Sequence, residues 1–341
     1  STIVSVGAED VESKNAFLEA AKTIVISVED AGVQWTLVEL GKQMSNESAL
    51  WRETSIWLLQ QYISNTSTDY SDWLVLILKL VFTAFFDEDK AVLLAANQCL
   101  GAMNKAVEVQ ELLKNLDFIR QHIGSMVSGL KYANGEIKDD VEVPGYAIPK
   151  GLVNVVPVYL HGLMYGSTAQ RECAADGIGE IVMWSSATTL RPFFVKLTGP
   201  LIRVVGDRFP STVKSAILKT LILLLGKAGA RLRAFLPQLQ TTFLKNISDS
   251  SHIVRRLSVD ALSALLPMVT RVEPLVAELL NGLINAELDM VRESYARALA
   301  NLIKEKKKDI SESAIQGIDG FLKNNENDDI AELLNTALNL E

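Results

Sequence analysis

The sequence predicts an all-α protein, an α-solenoid of about eight stacked helix pairs. Apolar residues recur at helical spacing in most segments, and no segment shows a clear strand-like alternation. Apolar residues make up 48% of the chain and aromatic residues only 7%, so Leu, Ala, Ile and Val supply most of the core and favour helices over sheets. The third observation is a recurring helix–turn–helix unit, which adds length without separate cores.

The repeat is clearest in the second half, where a proline opens the first helix of each pair and a polar turn leads to the second. The missing N–H of proline costs nothing in the first helical turn. The marker positions in the second helices are 170, 213, 254 and 291, with spacings of 43, 41 and 37 residues. This period matches the roughly 40–47 residues of HEAT-type units. The opening prolines are Pro157, Pro192, Pro237 and Pro274.

The first half repeats more loosely, and a loop divides it from the second. Residues 132–151 include Gly135, Pro144, Gly145 and Pro149 without helical periodicity, which is typical of a loop. We therefore expect N-terminal HEAT-like repeats over 1–131, a loop over 132–151 and C-terminal HEAT repeats over 152–341. The helices predicted outside the regular pairs are a lone second helix at 11–28, a pair within 112–131 and a terminal pair at 311–323 and 330–338.

Charge is unevenly distributed along this chain of net charge −8. Residues 1–150 hold 12 basic and 21 acidic residues, whereas residues 191–256 hold 12 basic residues against Asp207 and Asp249, a net charge of +10. Such a segment suits an acidic protein surface or RNA. Arginine outnumbers lysine there and aromatic residues are few, which favours forked contacts to carboxylates over base stacking. We expect an acidic protein partner.

Helical spacing indicates which of these cations face water. The helix after Pro192 has one apolar stripe, from which Lys196 and Arg203 are excluded, and Arg208 lies in the turn that follows. Arg255 is expected to form an internal ladder contact with Asp249. The stripe consists of Phe194, Leu197, Leu201, Val204 and Val205. The predicted partner-binding residues are Arg203, Arg208, Lys196, Lys214, Arg231, Arg233 and Arg256.

No constellation of residues in the sequence predicts catalysis, a cofactor or a metal site. The histidines are isolated, no phosphate-binding loop with Gly-Lys-Ser/Thr occurs, and Gly177-Ile178-Gly179 lies inside a helix where close packing explains it. The acidic run Asp87-Glu88-Asp89 is expected to be a solvated cap. Cys99 and Cys173 are expected to be small buried residues in a reducing compartment. Without a signal peptide or an apolar run long enough to span a membrane, we expect a cytoplasmic protein. Because no catalytic constellation is found, we also expect that the protein is not an enzyme.

Three segments resemble one family of long HEAT-repeat proteins, the general-control translational activators. The resemblance is specific over residues 155–266, and the N-terminal repeats depart from the family pattern. The segments that resemble the family are Tyr159–Gly166 followed by Gln170-Arg171-Glu172, Thr198–Phe209, and Phe235–Phe243.

The resemblance implies a scaffold that docks the RWD domain of the starvation-response kinase of translation initiation factor two alpha. It implies that the kinase is activated on ribosomes, which the longer parent protein contacts. It also implies that other RWD-containing proteins compete with the kinase for the same region. It also implies an essential arginine, for which Arg203 and Arg208 are the matching candidates. No membrane or specific DNA contact is expected. Two alternatives stay open: a ribosome- or RNA-contacting HEAT module, and an unrelated HEAT scaffold.

Overall fold

The computed structural model describes residues 11–131, 141–206, 208–324 and 327–339. The chain divides into two compact units, of which unit 1 comprises Ser1–Gly166 with Met183–Thr189 and unit 2 comprises Ser167–Val182 with Leu190–Glu341. All regular secondary structure in the described residues is helical, which confirms the predicted all-α class. Within the same residues, no helix is long and apolar enough to span a bilayer.

Unit 1 contains the helices of the first half, and its second helices stack on one another. Helix α3 packs between α1 and α5, while α4 packs against α2 and α7. The predicted pair within 112–131 divides at Asn115 into a short α6 and a long α7. The helices are α1 Val11–Ile26, α2 Asp30–Gln43, α3 Ala49–Asn65, α4 Leu74–Ala84, α5 Lys90–Ala106, α6 Val109–Lys114, α7 Leu116–Lys131, α8 Pro144–Ala147 and α9 Val156–Tyr165.

Unit 2 has the more regular two-layer arrangement. The first helices α12 and α14 contact each other in one layer, and the second helices α13, α15, α17 and α19 stack in the other. Each pair buries its apolar stripes between the layers, because one pair alone cannot cover them. The helices of unit 2 are α10 Thr168–Met183, α12 Phe194–Gly206, α13 Ser211–Ala228, α14 Leu236–Ile247, α15 His252–Leu265, α16 Val272–Asn285, α17 Asp289–Lys306, α18 Glu312–Asn324 and α19 Asp328–Asn339. The short α11 Ala187–Leu190 belongs to unit 1 except for its last residue.

A charged ladder joins neighbouring pairs at their turns. In unit 1, Arg52 at the start of α3 donates from Nε and Nη2 to the Asp87 carboxylate, at 2.7 and 2.9 Å, and from Nη1 to the carbonyl oxygens of its own turn. Asp87 is thus a largely buried ladder residue, so the prediction of a solvated cap was wrong for it. Asp89 is the helix cap, and its Oδ1 accepts the N–H of Ala91 at 2.8 Å.

The described part of the predicted loop packs into unit 1. Val143 and Tyr146 are buried, and the N–H of Gly145 donates to the carbonyl oxygen of Phe85 at 2.7 Å. The side chain of Asn97 donates to the carbonyl oxygen of Gly151 at 2.6 Å. Residues 132–140 lie outside the described residues, and the predicted domain boundaries stay predictions.

Candidate partner-binding site

Helix α12 presents the first part of the site. Its predicted apolar stripe is fully buried, which leaves Lys196 and Arg203 exposed on the opposite face, as predicted. The Lys196 ammonium lies 5.7 Å from the centroid of the Phe193 ring. Pro200 lies inside the helix and has no N–H, so the carbonyl oxygen of Lys196 lacks its usual helical donor.

Arg208 lies at a position that corresponds to the acidic residue of the charged ladder. In each ladder the cation, Arg52 or Lys214, lies four residues after the N-cap of the second helix of its pair. Its acidic partner, Asp87 or Asp249, lies two residues before the N-cap of the second helix of the following pair. In the turn before α13 the position of the acid is occupied by Arg208, which is exposed. The Arg171 guanidinium lies 4.6 Å from the Phe209 ring centroid. Asp207, the predicted neighbour of Arg208, lies outside the described residues.

Lys214 has a structural contact that the sequence did not indicate. Its ammonium lies 2.7 Å from the Asp249 carboxylate, and the two side chains are only 19% and 12% exposed. Burial raises the pKa of Asp249, but the hydrogen bonds from Lys214 and from the Ser251 N–H outweigh it and hold the pKa below its usual value. Lys214 therefore forms the ladder of this pair, and its predicted partner-binding role stays untested.

Arg255 differs in detail from its prediction. It is 3% exposed and donates from Nη1 to the backbone carbonyl oxygens of Asp249 and Ser250, both at 3.0 Å. The Asp249 carboxylate is held by Lys214 instead, and Arg255 Nε is buried without a partner. The reason lies in the next pair, where Ala286 occupies the ladder position that holds an acid elsewhere.

This gap gives a stability prediction for unit 2. In the variant Ala286→Asp, the new carboxylate should accept the free donors of Arg255 as Asp87 accepts those of Arg52. We expect the free energy of unfolding to rise by about 1 kcal/mol, measured by urea denaturation with circular dichroism. The matched control is the same change in an Arg255→Lys background, where the gain should shrink. An equal gain in both backgrounds would contradict the ladder explanation.

The other predicted cations lie on different parts of unit 2. Arg231 and Arg233 are exposed on the 3-10 helix Gly229–Phe235, which packs against α12 and α14 and also against α13. Arg256 is exposed on α15, in the layer of second helices. Lys196 and Arg203 thus lie on the first-helix layer, whereas Arg231 and Arg233 lie on a segment that contacts both layers.

A groove between α12 and α14 was missed by the sequence reasoning. It is open to solvent and has a volume of about 420 Å³, and most of its exposed lining is carbon. The signals that could have indicated it are small residues on both helices, Gly206 on α12 and Thr241 and Thr242 on α14. The lining residues are Ile202, Gly206, Pro237, Gln238, Thr241, Thr242, Lys245 and Asn246.

Counter-charge near the groove is scarce. Among the described residues of 191–256, Asp249 is the sole acid, and Lys214 already binds it. No ion pair is recorded for Arg203 or Lys245 within the described chain, and both are exposed. The first-helix layer of unit 2 is thus a basic surface around an apolar groove.

The candidate metal ligands and nucleophiles of the described residues lie apart or are buried. No group of three or more His, Cys, Asp or Glu residues there could hold a metal ion. Cys99 is buried, and that burial raises the pKa of its thiol far above the usual value. The pKa of His122 is lowered by burial and by the nearby Lys79.

Comparison with known proteins identifies the family. Residues 1–150 match the family model described as stalled ribosome sensor GCN1-like, HEAT repeats. The stalled ribosome sensor GCN1 of Mus musculus is 36% identical over 285 residues, which cover 83% of this chain and 10% of the mouse protein. The chain belongs to the GCN1 family. The eIF-2-alpha kinase activator GCN1 of Dictyostelium discoideum is 35% identical over 293 residues, covering 85% of this chain and 10% of that protein.

The GCN1 match confirms the resemblance and corrects its extent. Since the family model covers residues 1–150, the prediction that the N-terminal repeats depart from the family pattern was wrong. A chain in a solved structure of Kap95p binding to RanGDP has a TM-score of 0.51 and 15% identity, and the match covers 97% of this chain and 46% of that one. This likeness shows the α-solenoid fold. The GCN1-family chain spans about a tenth of the length of the curated relatives it matches.

Proposed function

We propose that this GCN1-family chain is a cytoplasmic protein-binding scaffold whose basic first-helix layer in unit 2 docks an RWD domain. The RWD domain belongs to the kinase of translation initiation factor two alpha, and docking promotes activation of that kinase on ribosomes. Relatives named eIF-2-alpha kinase activator support the pathway, since they are 32–35% identical to this chain. Ribosome contact would come through the longer parent protein.

The observation that carries the docking proposal is the exposure of Arg203 and Arg208 with little acid nearby. Arg203 lies on the water-facing side of α12. Arg208 is exposed in the turn before α13, at the position that holds an acid in the Arg52 and Lys214 ladders. Arginine also binds carboxylates through two parallel hydrogen bonds, which suits an acidic partner.

The docking proposal predicts that charge reversal abolishes binding. In a pull-down with an isolated RWD domain, Arg203→Glu and Arg208→Glu should each weaken retention of the chain about tenfold or more. Each change removes an attractive contact and places like charges opposite each other. The affinity would be measured by titration, with circular dichroism confirming that the variants remain folded.

Lys219→Glu is the matched control, because Lys219 is an exposed cation on α13, in the layer of second helices, and is not among the predicted partner-binding residues. Full retention by this variant is expected. If both the Arg203 and Arg208 variants still bound the RWD domain, the docking surface would lie elsewhere. The chain should show little affinity for ribosomal RNA. Tight RNA binding that falls steeply with salt would favour the RNA-contacting alternative instead.

A further inference from the structure

The groove between α12 and α14 is a gap left by missing side chains. These helices are neighbours in the first-helix layer of unit 2, yet the surfaces that face the gap carry Gly206 on one side and Thr241 and Thr242 on the other. Small residues cannot reach across, so about 420 Å³ stays open between the helices. That volume falls within the roughly 300–1,000 Å³ of ordinary ligand sites.

The chain does not fill this gap by itself. A Cβ atom placed on Gly206 would meet no atom within 4 Å. Gly206 does not have a positive φ, so no backbone strain requires a glycine there. The missing side chain at Gly206 therefore leaves this part of the groove unfilled by the chain.

One cation lines this space, and a second follows a lining residue in sequence. Lys245 lines the groove on α14, and Arg203 follows the lining residue Ile202 on α12; both cations are exposed. Asp249, the acid described within 191–256, is bound by Lys214. An occupant that matches this surface would place apolar side chains in the gap and carboxylates along its edges.

We infer that the groove between α12 and α14 binds the apolar face of an acidic amphipathic helix supplied by the partner. A groove between two neighbouring helices has the shape that receives a third helix through apolar anchors at i, i+3 or i+4. Arg203 and Lys245 select acidic residues beside those anchors. The inference rests on the proposed function, because the docked RWD domain would supply this helix.

The test blocks the groove without changing its charge. Gly206→Leu fills the gap, whereas Gly199→Leu adds the same side chain to the same helix outside the lining residues. The probe is a fluorescein-labelled synthetic helix with Leu on one face and Glu on the other, measured by fluorescence polarisation against the full chain. Wild type and Gly199→Leu should bind it equally, and Gly206→Leu about tenfold more weakly. A probe with Gln in place of Leu should bind none of them.

A second blocking variant guards against a local folding defect. Thr241→Leu fills the groove from α14, and its effect should match that of Gly206→Leu while circular dichroism stays unchanged. The inference fails if wild type does not bind the Leu–Glu helix, or if both blocked variants bind it as wild type does.

Binding of the RWD domain distinguishes the docking proposal from the groove inference. If Arg203→Glu loses the RWD domain while both groove-filling variants retain it, docking stands and the groove inference is wrong. If the groove variants lose the synthetic helix but wild type does not bind the RWD domain, the groove stands and the RWD assignment is wrong.

Discussion

Replacing Gly151 by alanine should destabilise unit 1 by about 3–5 kcal/mol, the sum of an overpacking cost and lost buried hydrogen bonds. A Cβ at this position would overlap the backbone carbonyl oxygens of Gly145 and Tyr146. Backbone atoms cannot rotate away as a flexible side chain can. The carbonyl oxygen of Gly151 itself accepts the side-chain amide of Asn97, so any shift of residue 151 also disturbs that bond.

The segment around Gly151 has little freedom to relax. The N–H of Gly145 is held by the carbonyl oxygen of Phe85 at 2.7 Å, and the N–H of Val143 by that of Trp184 at 3.0 Å. Movement of the segment away from an added methyl group would therefore break buried backbone hydrogen bonds. This is why the expected cost exceeds that of an ordinary loop substitution.

Tryptophan fluorescence during urea denaturation is a suitable measurement, because all five tryptophans lie in unit 1. The control is Gly129→Ala on the exposed face of α7, where a Cβ would meet no atom within 4 Å. That change should stabilise the helix by about 0.5–1 kcal/mol. A Gly151→Ala midpoint as high as that of wild type would show that the segment moves freely.

Removing the ladder acid of unit 1 should have the next largest effect. We expect Asp87→Ala to lower the free energy of unfolding by about 2–4 kcal/mol, because it leaves the mostly buried Arg52 without its carboxylate. Both side chains are largely shielded from water, at 18% and 10% exposure. The carboxylate also accepts the N–H of Asp89 at 2.8 Å, a bond that is lost as well.

The neighbouring Glu88→Ala is the matched control, since Glu88 is exposed and lies in the same turn. Its unfolding midpoint, followed by tryptophan fluorescence, should stay close to that of wild type. Equal losses in the two variants would mean that the turn responds to general charge and not to the Arg52 pair.

The Asp87 pair also predicts a pH dependence. Burial raises the pKa of Asp87, but the hydrogen bonds from Arg52 and from the Asp89 N–H outweigh it, so the folded pKa lies below its usual value. A depressed pKa contributes stability that is complete above the unfolded value of about 3.9 and is lost as pH falls through the folded value. Wild type should therefore lose stability more steeply than Asp87→Ala on acidification below about pH 4.

The candidate site was only partly predictable. Helical spacing correctly predicted that Lys196 and Arg203 are exposed to solvent, because the apolar stripe of an amphipathic helix determines which of its side chains face water. It could not show that Lys214 binds Asp249, since that choice depends on how the next pair packs. The same spacing could not show that Ala286 leaves Arg255 Nε without a partner.

The sequence by itself determined the helix pairs, their period and the basic character of residues 191–256, because these properties are local or additive along the chain. Tertiary structure alone decided which acid meets which cation, why Gly151 must lack a side chain, and where α12 and α14 leave a groove. Those features depend on atoms that approach from distant parts of the sequence. Their positions are fixed only when successive pairs stack and bury their apolar faces together.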